Sequence, residues 1–310
     1  MADNKKMGST DVMMLLAVLF WGLNLTIVKI AIEHLSPHAF NSIRLSASAL
    51  LLFIFLAVRR EPLTLSRSDL LKVIVLGILG NFCYQYLFIK AIDVTTASNT
   101  SLILATSPIF IALISWAFKI ERLTWPGWVG IAISFIGLYL VITNQSGGFH
   151  FSGDSWRGDV MLLVANIFWA CYTVFSKPLL NRMSPLKFST LTLAAGSVLY
   201  LVVAVPNLKA QAWTSVPAAS WLSLAYSGLF AIVLGYVFWY TSIKKIGNSK
   251  TAIYNNLTPV LAVLFACLLL GERIRGAQIL GAVVILAGVY LTRTGDRFFI
   301  KNRVVSHVPE

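Results

Sequence analysis

Nine stretches of at least seventeen residues in this chain carry no charged side chain. They separate Asp11 from Lys29, Lys72 from Lys90, Asp93 from Lys119, Arg122 from Asp154, and Asp159 from Lys177. The others lie between Lys187 and Lys209, Lys209 and Lys244, Lys250 and Glu272, and Arg275 and Arg293. A helix needs about 20 mostly apolar residues to cross a hydrocarbon layer roughly 30 Å thick. Lipid offers backbone groups no partner, so a helix that satisfies its own is the way to lay such a stretch across. Charged residues make up 12% of the chain, against about 25% in soluble domains. The chain is therefore expected to be an all-α integral membrane protein.

A tenth span lies between Pro37 and Val58, where Arg44 interrupts an otherwise apolar stretch. The expected transmembrane helices cover approximately 11–32, 38–58, 70–92, 96–118, 126–143, 160–180, 186–205, 218–242, 249–270 and 276–292. The first run has no small-residue cleavage site behind it, so it reads as a retained helix rather than a signal peptide. The net charge of +13 reports orientation, not a nucleic-acid partner. With the N-terminus in the cytoplasm, eighteen lysines and arginines fall in inner segments and five outside. The positive-inside rule then places both termini in the cytoplasm. Cys83, Cys171 and Cys267 all lie inside spans, where they read as packing residues, and neither a metal site nor a cofactor is expected.

The chain also writes itself twice. DVMMLLAVLFWGLNLTIVK (Asp11 to Lys29) and DVMLLVANIFWACYTVFSK (Asp159 to Lys177) agree at eight of nineteen positions, ungapped, at an offset of 148. Ser36-Pro37 and Phe40 match Ser184-Pro185 and Phe188 at that offset. The register then becomes 151. Pro108 meets Pro259, Glu121-Arg122 meets Glu272-Arg273, and Gly130, Gly137 and Tyr139 meet Gly281, Gly288 and Tyr290. The organisation expected is an N-terminal cytoplasmic tail (1–10), a first repeat (11–143), a polar linker (144–158), a second repeat (159–292) and a basic C-terminal tail (293–310). Five spans per repeat is an odd number, so the second copy enters the bilayer from the opposite side. An inverted repeat around a central cavity supplies two alternative states, one open to each face.

The blocks FWGLNLTIVKIAIEHLSPHAFNSIRL and SPIFIALISWAFKIERLTWPGWVGIAISFIGLYL resemble the two signature blocks of the EamA domain, in the drug/metabolite transporter superfamily. The second half resembles it again in FWACYTVFSK and TPVLAVLFACLLLGERIRGAQILGAVVILAGVYL. The resemblance implies ten helices, a central cavity and movement of small metabolites across a membrane, expected to be a prokaryotic plasma (inner) membrane. Arg44 fits the family's buried arginine on the second helix; its repeat equivalent here is Thr192.

Helical phase says which polar and aromatic side chains converge. Trp21, Asn24 and Val28 share a face of span 1, and Trp169, Tyr172, Thr173 and Ser176 the corresponding face of span 6. Span 3 sets Asn81, Tyr84, Gln85 and Phe88 at helical spacing; span 8 answers with Tyr236, Trp239 and Tyr240. Span 4 carries Ser101, Thr106 and Ser107, and span 9 carries Tyr254, Asn255, Asn256 and Thr258. Neutral amides and rings around one space suit a modest polar solute with an apolar part. The competing reading is interhelical glue for the hydroxyls and amides, and packing for the rings.

Among the charges, Lys29 either snorkels to the interface or, like Arg44, steers a solute carboxylate; Lys177 offers the mirror-image role. Pro108 and Pro259 sit mid-helix at matched positions, as hinges or as packing kinks. Gly130 and Gly137, with Gly281 and Gly288, give spans 5 and 10 small-residue faces that join within the chain or form a homodimer seam. All four histidines are expected in loops or tails and no acid falls mid-span, so a buried proton relay is not expected. Exchange, facilitated export, or coupling through Glu33 and Asp93 is. No cluster of nucleophile, base or metal ligands supports an enzyme. The first reading is an exporter of amino acids or similar solutes. A nucleotide-sugar or drug/cation carrier, and a passive channel, stand as alternatives.

Overall fold

In the computed structural model the described residues are 8–119, 125–143, 154–246, 251, 254–255 and 257–305. The first half contains α1 (Ser9–Ile32), α2 (Pro37–Val58), α3 (Arg67–Gly77) running through a π-helical segment (Ile78–Cys83) into α4 (Tyr84–Val94), then α5 (Ala97–Leu104), α6 (Ser107–Ala117) and α7 (Trp125–Thr143). The second half contains α8 (Asp154–Leu180), α9 (Pro185–Ala210), α10 (Ala218–Tyr226), a second π-helical segment (Ser227–Leu234), α11 (Gly235–Ile246), α12 (Thr258–Leu270) and α13 (Gly276–Val305). Among the described residues seven helices are long and apolar enough to cross a membrane, and three apolar helices are shorter. The protein is thus an all-helical, multi-pass membrane protein. The last helix runs to Val305, beyond the boundary at 292 expected from the sequence.

Local chemistry sets several boundaries, and sets them twice. Ser36 caps α2 by accepting from the Ala39 amide at 3.2 Å, with Pro37 at the first turn. Its equivalent Ser184 caps α9 by accepting from the Lys187 amide at 3.0 Å, with Pro185 likewise placed. Both use a hydroxyl to satisfy an orphan amide, and a proline where no amide is needed. The π segments are duplicated too: an offset of 151 carries Ile78–Cys83 onto residues 229–234, inside the second segment. Such bulges cluster at functional sites, and apolar patterning gives no sign of them.

Packing obeys the same exchange. α1 packs on α12, and its counterpart α8 on α5 and α6. α1 also packs on α10, the second π segment and α11, and α8 on α3, the first π segment and α4. α2 meets its own counterpart α9, and α7 meets α13. Swapping the halves leaves this pattern of neighbours unchanged, which is a pseudo-two-fold arrangement. The α7–α13 crossing shows it in small groups. A side chain on Gly137 would stand 2.7 Å from the Gly281 carbonyl oxygen, and one on Gly288 would stand 2.5 Å from that of Gly130. These glycines therefore join the two helices within the chain by close backbone approach.

Candidate functional site

Between the halves lies a cavity lined by side chains of both. The first half contributes Trp21, Asn24 and Leu25, Arg44, Tyr84, Gln85 and Phe88, and Ser101, Leu104, Ala105 and Ser107. The second contributes Trp169, Ala231, Ile232, Tyr236, Asn255, Thr258 and Pro259. Ring contacts organise the apolar wall: Tyr84 lies 5.7 Å from Phe88 and 5.2 Å from Trp169, and Trp169 lies 6.0 Å from Tyr236.

A polar chain crosses from one half to the other through Arg44. Its Nη1 donates to Ser227 Oγ at 2.8 Å, and that hydroxyl donates to Asn24 Oδ1 at 2.5 Å. Its Nη2 donates to Asn41 Oδ1 and, at 2.8 Å, to Gln85 Oε1. The Gln85 amide nitrogen donates to Tyr236 Oη at 3.1 Å. Gln85 and Tyr236 are repeat equivalents, so the pseudo-symmetry axis passes beside this contact. The second π segment supplies carbonyls as well as Ser227: Trp21 Nε1 donates to Ala231 O at 2.8 Å and Ser48 Oγ to Gly228 O at 3.1 Å.

Of the residues singled out by helical phase, Trp21, Asn24, Tyr84, Gln85, Phe88, Ser101, Trp169, Tyr236 and Asn255 line the cavity. Asn256 lies outside the described residues. Asn81, Tyr172 and Trp239 stand behind the wall rather than on it. Tyr172 packs its ring on Gly80, where any Cβ would collide with it, and its hydroxyl is 2.8 Å from Thr192 Oγ1. Asn81 Nδ2 donates to Tyr172 Oη at 3.5 Å, and the Trp239 ring lies 5.3 Å from that of Trp21, tilted by 60°. Lys29 is not on the cavity wall. Its Nζ donates to the carbonyls of Ile92 at 2.7 Å, Asp93 at 3.2 Å and Thr95 at 2.6 Å, capping the end of α4. Lys177 is exposed. His38 is not in a loop but in the first turn of α2, with Nδ1 2.9 Å from Tyr200 Oη.

Pro108 and Pro259 open α6 and α12 instead of kinking a continuous helix. Proline at 108 leaves the Leu104 carbonyl without its ladder donor, and Ser107 Oγ takes that role at 2.6 Å. Asn166, a residue the sequence reading passed over, staples the break between α5 and α6. Its Nδ2 donates to Ile103 O at 2.9 Å and Thr106 Oγ1 at 3.1 Å, and its Oδ1 lies 2.6 Å from Ser107 Oγ, whose single proton it shares with Leu104 O. Asn41 and Ser227 were missed as well. An amide three residues before an intramembrane arginine was a usable signal; nothing singled out Ser227. Asn166→Leu is expected to orphan these groups and cost about 2–3 kcal/mol, read as a lower unfolding midpoint in detergent. An unchanged midpoint would show that the two pieces hold without the staple.

Two related helical halves around a lined cavity inside a membrane protein define a solute transporter. A family model described as the EamA-like transporter family matches residues 8–143 and 156–294, and the chain belongs to that family. It is 30% identical over 285 residues to the uncharacterized transporter YyaM of Bacillus subtilis, covering 92% of this chain and 93% of that one. It is 29% identical over 291 residues to a probable amino-acid metabolite efflux pump of Salmonella typhimurium, covering 91% and 94%. A protein of the same description from Escherichia coli is 26% identical over 295 residues. One crystal structure, 18% identical, matches with a TM-score of 0.69 over 94% of this chain and 98% of that one, which shows a shared fold.

Proposed function

We propose that this transporter is a secondary carrier that exports an amino acid or a related small metabolite across the plasma membrane by alternating access, with both termini in the cytoplasm. The observation that carries this reading is the position of the cavity: its wall is drawn from both repeats, so movement of one against the other exposes it to either face. The relatives described as probable amino-acid metabolite efflux pumps support the solute class and direction. The distribution of lysine and arginine supports the orientation. The helix openings at Pro108 and Pro259, one in each half, are the hinges in this scheme, and Pro259 lines the cavity itself.

Purified protein in liposomes tests the mechanism. Flux of a solute found by a thermal-shift panel is expected to saturate and to accelerate when the same solute is present on the far side. Flux that rises linearly with concentration, indifferent to the far side, would establish a channel instead.

A further inference from the structure

We propose that the cargo is a monovalent organic anion, a single carboxylate on an apolar or aromatic body with no free ammonium group, whose charge is neutralised by Arg44. This narrows the carrier reading above and rests on it. Arg44 is 1% exposed and is on the cavity wall. Its hydrogen-bond acceptors are the neutral oxygens of Ser227, Asn41 and Gln85, and its Nε has no partner among the described residues. The titratable groups that face it are Tyr84, Tyr200 and Tyr236, uncharged near neutral pH. The network therefore occupies three of the five guanidinium donors and fixes its plane but supplies no counter-charge. A buried charge left without an opposite partner is costly, and among the described residues neither Asp nor Glu stands on the wall.

The other cations of the membrane region do not change this balance, because Lys29 is committed to the α4 carbonyls and Lys177 is exposed. A cationic cargo meets a like charge. A zwitterion leaves the loaded site at its original charge, because its ammonium replaces the charge its carboxylate offsets. A polyanion brings more charge than one guanidinium offsets. A carboxylate alone closes the account, while Trp21, Tyr84, Phe88 and Trp169 receive the rest of the molecule. Within the amino-acid-related solutes, this selects deaminated or N-acylated derivatives over the free amino acid. The empty cavity then carries a charge that the loaded one does not, so the loaded form reorients more readily and exchange outruns net efflux.

Four probes with one shared body test this: phenylacetate, phenylacetamide, phenylalanine and phenethylamine, titrated against the tryptophan emission of the purified wild-type protein. Phenylacetate is expected to bind at least about tenfold, or about 1.4 kcal/mol, more tightly than each of the others. In liposomes its exchange is expected to exceed its net efflux by a similar factor. In Arg44→Gln the preference for phenylacetate over phenylacetamide is expected to vanish; if that variant does not fold, the wild-type comparison decides by itself. Equal binding of acid and amide, tighter binding of phenylalanine, or no binding of phenylacetate overturns the proposal. Saturable exchange of phenylalanine would sink the anion while leaving the carrier standing. Phenylacetate binding accompanied only by non-saturable flux would sink the carrier instead.

Discussion

Alanine at position 80 is expected to destabilise the protein by about 3 kcal/mol, and the same alanine should be nearly silent beside Tyr172→Asn. Gly80 lies in the first π segment, and a Cβ there falls inside the Tyr172 ring. That ring has no room to yield. It is fully buried, stacked on Phe188 at 5.7 Å, met edge-on by Tyr240 at 5.5 Å, and held by its hydroxyl at Thr192. Overpacking of this kind costs about 1–3 kcal/mol and sometimes more; a fixed aromatic neighbour puts Gly80→Ala at the upper end. The other repeat shows the compatible pair. Gly80 corresponds to Ala231 and Tyr172 to Asn24, and both of those residues line the cavity. A large ring over glycine in one half thus faces a short amide over alanine in the other, so the cavity opens beside Asn24 while its mirror space is filled by Tyr172. Unfolding midpoints of both single variants and the double variant, in the same detergent, give the coupling. About 2 kcal/mol or more is expected from groups in direct contact; strictly additive effects would mean that the ring and the glycine do not meet.

The same pair marks where the sequence is legible and where it stops. Charge-free runs place the helices, because lipid leaves the backbone few options, and the repeated sequence relates the halves. Helical phase brings Trp21, Asn24, Tyr84, Gln85, Phe88, Trp169 and Tyr236 to one space, because seven or fewer residues of helix keep a face coherent. It misplaces Asn81 because that residue lies inside a π segment, where the spacing of faces is no longer α-helical, and Tyr172 because Gly80 lets its ring pass into the helix interface. It does not reveal the partners of Lys29, because the carbonyls it caps belong to another helix, more than sixty positions away in the chain. Arg44 is visible as an oddity in an apolar span. Its partner Asn41 is legible from its place three residues earlier, but Ser227 is not, since hydroxyls in such helices have many uses, and only tertiary contact selects among them.

Lys29→Gln is expected to shift the conformational balance by roughly 30- to 150-fold toward opening on the side away from the termini, and Lys177→Gln to leave the described conformation unmoved. Lys29 Nζ joins the far end of α1 to three carbonyls at the end of α4, the negative pole of that helix. Asp93, Glu272 and Glu33 add a favourable field around it. Charge-assisted bonds of this kind contribute about 1.5–3 kcal/mol, and about 2–3 kcal/mol of bias corresponds to the shift stated. At the equivalent place in the second half, Lys177 is exposed, and the matching carbonyls belong to Ile243, Lys244 and Ile246. There the residue in the position of Asp93 is Lys244, followed by Lys245, so the approach of Lys177 is opposed rather than assisted. One latch is closed and its mirror is open, and the acid-to-lysine exchange biases the pair toward that arrangement. A single cysteine at Ser101, on the cavity wall, in a background lacking Cys83, Cys171 and Cys267, reports the change. Its labelling by an impermeant maleimide from outside should rise steeply in Lys29→Gln and stay at the background level in Lys177→Gln. Equal labelling in all three proteins, or the same rise from either lysine, would show that the two ends do not act as alternating latches.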